Sequence, residues 1–268
     1  MTGTVPTLHP FLDAPTPIVV AHRGASGEAP ENTLEAFAIA VEQGCTYLET
    51  DAHVTKDGVV VAFHDHRLDR ATDRRGTIEA LTIAEVEQAD AGYHVPAYRG
   101  QGVKVPRLEE VLTRWPDARV IIDPKTDSAT EPVCALLHRL DAWDRVCVGA
   151  FSDRRVKRVR QLSGGRACTS MGPAATATAV IAAATTARMP RLGARCLQVP
   201  EFQNGVRIVT ERFVNAAHTA RLPVQVWTVD EPKTMHRLLD LGVDAIMTNR
   251  PRVLFDVLAA RAAGAART

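Results

Sequence analysis

Along the chain, short apolar runs alternate with longer stretches in which apolar residues recur every three or four positions. The first pattern is that of buried strands and the second that of amphipathic helices. The predicted strands are Ile18–Ala21, Tyr47–Ala52, Val120–Asp123, Arg145–Ala150, Ala167–Met171, Cys196–Pro200, Val224–Val229 and Ala245–Thr248. Each is followed by a predicted helix: Leu34–Gln43, Leu108–Arg114, Thr130–Leu140, Arg154–Leu162, Thr176–Ala187, Glu211–Ala220, Lys233–Leu239 and Arg252–Ala262. Strand–helix repeats imply parallel strands joined by crossovers. Eight of them predict an α/β chain closed into a TIM-type (β/α)8 barrel. An open doubly wound sheet is the alternative, but it usually carries a glycine-rich phosphate turn after its first strand. Here that turn begins with His22-Arg23 and continues Gly24-Ala25-Ser26-Gly27, which favours the barrel.

One segment breaks the alternation. Asp57-Gly58 is a tight-turn signal and is followed by the extended run Val59–His64. A polar stretch with little periodicity then runs over about residues 65–105. A long insertion in a compact domain is usually functional or disordered. It is read as a lid or subdomain after the second strand of one domain spanning 1–268. The first seventeen residues hold four prolines and are expected to form a loose lead-in.

Length agrees with this layout, since an α/β barrel commonly takes about 250 residues. Such a chain buries roughly three quarters of its unfolded surface and needs no staples. Lysine plus arginine number 32 and aspartate plus glutamate 31, so there is no global electrostatic footprint for nucleic acid or an anionic membrane. No apolar run reaches the roughly 18 residues of a membrane span, and the start of the chain lacks the features of a signal peptide. The five cysteines, Cys45, Cys134, Cys147, Cys168 and Cys196, include no C-x-x-C pair. They are expected to be reduced core residues, which favours the cytoplasm.

In such barrels, functional residues sit at the C-terminal ends of the strands. The first predicted strand ends in His22-Arg23, and the second carries Glu49, Asp51 and His53 at alternate positions, hence on one face. The run after it ends in His64-Asp65, the third strand in Asp123-Pro124-Lys125, and the last two bring Trp227, Asp230 and Asn249-Arg250. Two carboxylates about 7 Å apart on one buried face are unfavourable unless a cation lies between them. Asp123 can add a third oxygen, and an all-carboxylate site suits Mg²⁺ or Ca²⁺. A structural ion pair with Arg23 or Lys125 is the competing explanation. His22 and His64 fit a general acid and base, because an imidazole titrates near operating pH. Arg23 and Lys125 are donors suited to a phosphate, or counter-ions to the carboxylates. Trp227 is either an apolar wall for substrate or core, and His53 is placed on the rim without a role.

These residues fall in an ordered set of motifs: His22-Arg23-Gly24, Pro30-Glu31-Asn32-Thr33, Glu49-Thr50-Asp51, Thr55-Lys56-Asp57-Gly58, Phe63-His64-Asp65, Val105–Glu110, Val226–Val229 and Gly242–Pro251. Together they resemble the glycerophosphodiester phosphodiesterase family, from about Ile18 to Pro251. The resemblance implies a barrel with a small insertion after its second strand. It implies metal-dependent hydrolysis of a small-molecule glycerophosphodiester to glycerol 3-phosphate and an alcohol. His22 and His64 would be the acid–base pair, and Glu49, Asp51 and a third-strand carboxylate would hold a divalent ion. No nucleic-acid partner and no stable membrane association are expected.

The sequence departs from the family pattern in two places. Asp123-Pro124-Lys125 stands where glutamate, an apolar residue and lysine are usual, and Asn249 stands where aspartate often follows the threonine. Both put metal affinity and substrate choice in question more than the reaction class. Alternatives are a lysophospholipase D or a sphingomyelinase D-like phosphodiesterase, which a lid with exposed apolar residues would support. A non-catalytic phosphodiester-binding barrel is a third.

Overall fold

The computed structural model describes residues 8–185 and 188–265. Eight parallel strands form the sheet: β1 (Ile18–His22), β2 (Tyr47–Val54), β3 (Arg119–Pro124), β4 (Val146–Val148), β5 (Cys168–Thr169), β6 (Leu197–Pro200), β7 (Val224–Trp227) and β8 (Ala245–Thr248). Their order is 5-4-3-2-1-8-7-6. An isolated parallel bridge between Ser170 and Cys196, with Arg195 N–H donating to the Thr169 carbonyl at 2.9 Å, joins the two outer strands and closes the barrel. The helices are α1 (Leu34–Glu42), α2 (Leu108–Arg114), α3 (Asp127–Arg139), α4 (Asp153–Leu162), α5 (Pro173–Thr185), α6 (Glu211–Thr219), α7 (Pro232–Asp240) and α8 (Pro251–Ala265). The predicted helix Thr176–Ala187 is described as far as Thr185. Its last two positions, like residues 1–7 of the lead-in, lie outside the described residues.

Strand parity sorts the side chains. Val19, Ala21, Leu48, Val120, Ile122, Val146 and Val148 pack outward in apolar clusters with the helices. Ile18, Val20, Tyr47, Ile121, Cys147, Cys168, Cys196, Ala245 and Met247 fill the barrel's lower interior. All five cysteines are buried and unbridged, and the Cys147 and Cys196 sulfurs lie 3.8 Å apart in this apolar layer. The lead-in is less loose than its prolines suggest. A short turn at Pro10–Leu12 plugs the bottom of the barrel, with Phe11 fully buried edge-on against Tyr47 and its carbonyl accepting from the Tyr47 hydroxyl at 2.6 Å. Toward the C-terminal ends the same inward parity carries Glu49, Asp51, Asp123, Gln198 and Gln225, so the interior changes from apolar to polar along its axis.

Four of the eight barrel helices start from a Thr or Ser whose side-chain oxygen accepts from a backbone N–H of the first turn: Thr33 for α1, Thr126 for α3, Ser152 for α4 and Thr210 for α6. Each cap satisfies a first-turn N–H that has no partner within the helix.

The insertion begins with the hairpin that Asp57-Gly58 predicted, as Val60–Ala62 runs antiparallel to the end of β2. Residues beyond it build a small core of their own from Val61, Phe63, Leu68, Ile78, Val86, Ala89, Ala91, Val103 and Val105. Only two three-residue 3₁₀ turns and the four-residue helix Ile83–Val86 are regular here, which is why the sequence shows no periodicity. Among the large apolar side chains of 65–105, Tyr93 alone is exposed, so this segment adds nothing in favour of a lipid-binding lid.

Candidate active site

The turn after β1 sets up the site. Arg23 and Gly24 both have positive φ (53° and 78°), which turns the chain away from the barrel axis immediately after His22. Asn32, also at positive φ, donates its backbone N–H to the Arg23 carbonyl at 3.0 Å. Its side chain accepts from Thr50 Oγ1 (2.8 Å) and donates to Asp51 Oδ2 (2.9 Å), so it ties the first loop to β2.

Parallel register places Glu49 beside His22 and Asp123 beside Asp51. Glu49 Oε2 accepts from the Arg23 backbone N–H at 3.0 Å and lies 3.8 Å from His22 Nε2. Burial, and next the Asp51 charge, push the Glu49 carboxyl well above its ordinary value. Asp51 is also buried, but Lys125 and Arg23 outweigh that cost and hold it below the usual range. Lys125 Nζ lies 2.7 Å from Asp51 Oδ1 and 2.8 Å from Asp123 Oδ2. Arg23 Nε is 3.1 Å from Asp51 Oδ2, though out of line for a hydrogen bond. Asp123 is raised by burial despite Lys125, and its Oδ1 is buried without a hydrogen-bond partner.

The three carboxylates therefore share one rim, but Lys125 occupies the position between two of them. Among the described residues, the trio of donor atoms crowded within 4.8 Å of one another is that of Cys147, Cys168 and Cys196, not the carboxylates. The rim donors nonetheless suit a hard cation. They are all carboxylate oxygens, Asp123 Oδ1 lacks a partner, and Glu49 bears an uncompensated desolvation cost.

His22 Nδ1 lies 2.7 Å from Asn249 Oδ1. Burial and then the Arg23 charge lower the affinity of His22 for a second proton. His64 Nδ1 lies 2.6 Å from Asp65 Oδ1. Burial opposes ionisation of Asp65, but Arg70 and His64 pull its carboxyl down to about 2. Arg70 also donates to Glu31, which in turn accepts from Arg23 Nη1 at 3.0 Å. A chain of alternating charges thus links the first loop to the insertion.

Trp227 is half-buried at the end of β7, edge-on to the exposed Phe151 at 5.5 Å, and Lys125 Nζ is 5.8 Å from the Phe151 ring centre. His22, Arg23, Glu49, Asp51, His64, Asp123, Lys125 and Trp227 are thus all at the C-terminal end of the barrel. His53 differs from expectation. It is fully buried, its Nε2 lies 3.1 Å from the His64 carbonyl and its ring packs against His66. It is a support beneath His64, not a rim group. Sequence reasoning gave no role to Ser26, Glu31, Asn32, Asp65, Arg70, Phe151, Asp230 or Asn249 in positioning the site. Asn32 and Asp65 stood inside recognised motifs, whereas Arg70 and Phe151 had no local signal.

The family profile described as the glycerophosphoryl diester phosphodiesterase family matches residues 22–253. The chain belongs to this family. A probable glycerophosphodiester phosphodiesterase 2 of Mycobacterium tuberculosis is 40% identical over 271 residues, covering 97% of each chain. A glycerophosphodiester phosphodiesterase of Bacillus subtilis is 30% identical, over 90% of this chain and 86% of its own. The crystal structure of a glycerophosphodiester phosphodiesterase from Agrobacterium tumefaciens superposes with a TM-score of 0.73 at 25% identity, over 90% of this chain and 99% of that one. A phosphodiesterase of Oleispira antarctica in complex with the product sn-glycerol-3-phosphate shares the fold, with a TM-score of 0.75 at 23% identity, over 91% of this chain and 97% of that one. As a glycerophosphodiester phosphodiesterase, the chain is a hydrolase of phosphodiesters. Its family match begins at His22, the first residue of the rim just described.

Proposed function

We propose that this phosphodiesterase hydrolyses glycerophosphodiesters to glycerol 3-phosphate and an alcohol, with His22 and His64 as the acid–base pair and a divalent ion as cofactor. The observation that carries this reading is the pair of imidazoles at one rim, each with Nδ1 engaged by a side-chain oxygen, beside Arg23 and Lys125. Engagement of Nδ1 leaves both Nε2 atoms for the substrate. The product-bound Oleispira antarctica relative supports the same substrate class.

Glu49, Asp51 and Asp123 would hold the ion, Mg²⁺ or Ca²⁺, which supplies charge neutralisation to the phosphodiester when bound. Arg23 and Lys125 add fixed positive charge in a buried setting, where it needs no reorganisation as charge develops. One histidine removes the proton of the attacking hydroxyl, by family resemblance the glycerol 2-hydroxyl, giving a cyclic phosphate that water then opens to glycerol 3-phosphate. The other protonates the leaving alcohol. Trp227, with Phe151 edge-on to it, would form an apolar wall for the glycerol or the alcohol. Cytoplasmic operation belongs to the same reading and is supported by five unbridged cysteines.

The test is turnover of His22→Ala and His64→Ala. Each proton transfer contributes about 10² to 10⁴ in rate. Each variant is expected to lose at least about a hundredfold in kcat with its melting temperature near that of the parent. A folded variant of either with near-normal turnover would sink the assignment.

A further inference from the structure

We infer that Asp230 and Asn249 act as positioning residues for the acid–base chemistry proposed above, by fixing which ring nitrogen of His22 carries the proton. The inference rests on that reading of His22. It starts from Asp230, at the end of the loop after β7. Asp230 Oδ1 accepts from Thr248 Oγ1 (2.9 Å) and from the Asn249 backbone N–H (2.8 Å). Those two donors orient the carboxylate so that its other oxygen, Oδ2, faces the Asn249 side chain at 2.7 Å.

An ionised carboxylate only accepts, so the Asn249 group facing it must be the amide NH₂. The opposite side of the amide, Oδ1, then faces His22 Nδ1 at 2.7 Å and Ser26 Oγ at 2.7 Å. A carbonyl oxygen only accepts, so the proton between Asn249 and His22 is on Nδ1. Neutral His22 is thereby held as the Nδ1–H tautomer. Its Nε2, 3.8 Å from Glu49 Oε2, bears the free lone pair toward the site. The chain Asp230–Asn249–His22 resembles a carboxylate–histidine pair in what it sets, a tautomer and a ring orientation. It differs in that a neutral amide is interposed, so no carboxylate touches His22 at Nδ1.

The hydrogen-bond directions predict what each substitution does. In Asp230→Asn, Thr248 and the Asn249 N–H still require an acceptor and hold the new carbonyl oxygen. The new NH₂ then faces Asn249, which must turn its own carbonyl toward it and its NH₂ toward His22. Ser26 can follow, because its hydroxyl also lies 2.8 Å from the His22 carbonyl and can donate there. His22 Nδ1 becomes an acceptor and the proton moves to Nε2. The double variant Asp230→Asn with Asn249→Asp reverses this. Its new carboxylate accepts both from the amide introduced by the first substitution and from His22 Nδ1–H.

The experiment is ¹⁵N spectroscopy of histidine-labelled full-length protein, with the His22 ring signals assigned by their loss in His22→Gln, alongside kcat and KM of each variant. The expected result is Nδ1–H, bare Nε2 in the parent, the reverse in Asp230→Asn, and recovery in the double variant. Turnover should follow the tautomer, with kcat of Asp230→Asn down about tenfold or more while KM holds within about twofold, and partial recovery in the double variant. Should Asp230→Asn fail to fold, Asn249→Ala carries the test by freeing the ring to populate both tautomers. An Nε2–H tautomer in the parent, or an unchanged ring spectrum and kcat in Asp230→Asn, would overturn the inference. If His22→Ala is inactive in that case, the hydrolytic reading survives its loss. A fully active His22→Ala would remove both.

Discussion

Glu49 shows how the site's function opposes its stability. Its carboxyl is fully enclosed, and burial raises it well above the ordinary value of 4.5. A raised carboxyl means the folded state binds the proton more tightly than the unfolded chain does. Its contribution is therefore favourable below about pH 4.5 and is lost as pH rises toward the folded value. At pH 8 without divalent ions, Glu49→Gln is thus expected to melt higher than the parent, on the order of 2–4 °C. Gln Oε1 can still accept from the Arg23 N–H. Added Mg²⁺ or Ca²⁺ should raise the parent's melting temperature and leave the variant's nearly unchanged. Thermal melts with chelator and with each ion check this, and a lower melting temperature for Glu49→Gln in chelator would contradict it. The residues of the site were legible where charge recurs at strand ends: His22, Glu49, Asp51, His64 and Asp123. Asn249 and Asp230 were visible as rim polar residues, but their hydrogen-bond directions depend on a loop geometry that sequence does not encode. His53 was misplaced because parity gives the face of a strand and not the depth at which the insertion covers it.

At the scale of the element, the turn from β1 into α1 is where the chain is least forgiving. Gly24 has φ of 78°, and a Cβ there would sit 2.6 Å from the Ala36 carbonyl carbon, part of α1's backbone. Neither the left-handed conformation nor the close approach tolerates a side chain. Gly24→Ala is expected to cost on the order of 2–3 kcal/mol, or to shift α1 and with it His22 and Arg23. Urea denaturation of the variant checks this, and a loss under about 0.5 kcal/mol would show that the turn yields freely. Strands and helices were largely legible because β-branched runs and 3.6-residue periodicity act locally. Strands β4 to β7 proved shorter than their apolar runs, whereas β8 has the predicted bounds Ala245–Thr248. Pairing ends where neighbours curve apart, as at Val146–Val148 inside the predicted Arg145–Ala150. The 65–105 segment was not legible as a packed unit, since its core is assembled from irregular turns.

For the molecule as a whole, the barrel closes unevenly. β2 and β3 pair over six residues, whereas β5 meets β6 through one bridge at Ser170 and Cys196. Local opening follows the weakest pairing, so the Arg195 amide, which donates across this seam to the Thr169 carbonyl, should exchange with solvent faster than the paired amides of β2 and β3. Hydrogen exchange read residue by residue checks this, and equal protection around the ring would contradict it. No helix among the described residues is long and apolar enough to cross a membrane. Eight strand–helix repeats made the barrel legible from sequence, but the weak seam was not, because it depends on how far two short strands overlap. The apolar plug below and the charged rim above leave one end of the barrel for chemistry, and the account stands on what that end does. The most direct test is release of glycerol 3-phosphate from glycerophosphocholine by the purified chain, with Mg²⁺, with Ca²⁺ and with a chelator. Release that depends on an added ion is the predicted result. No release with either ion, from protein shown to be folded, would contradict it.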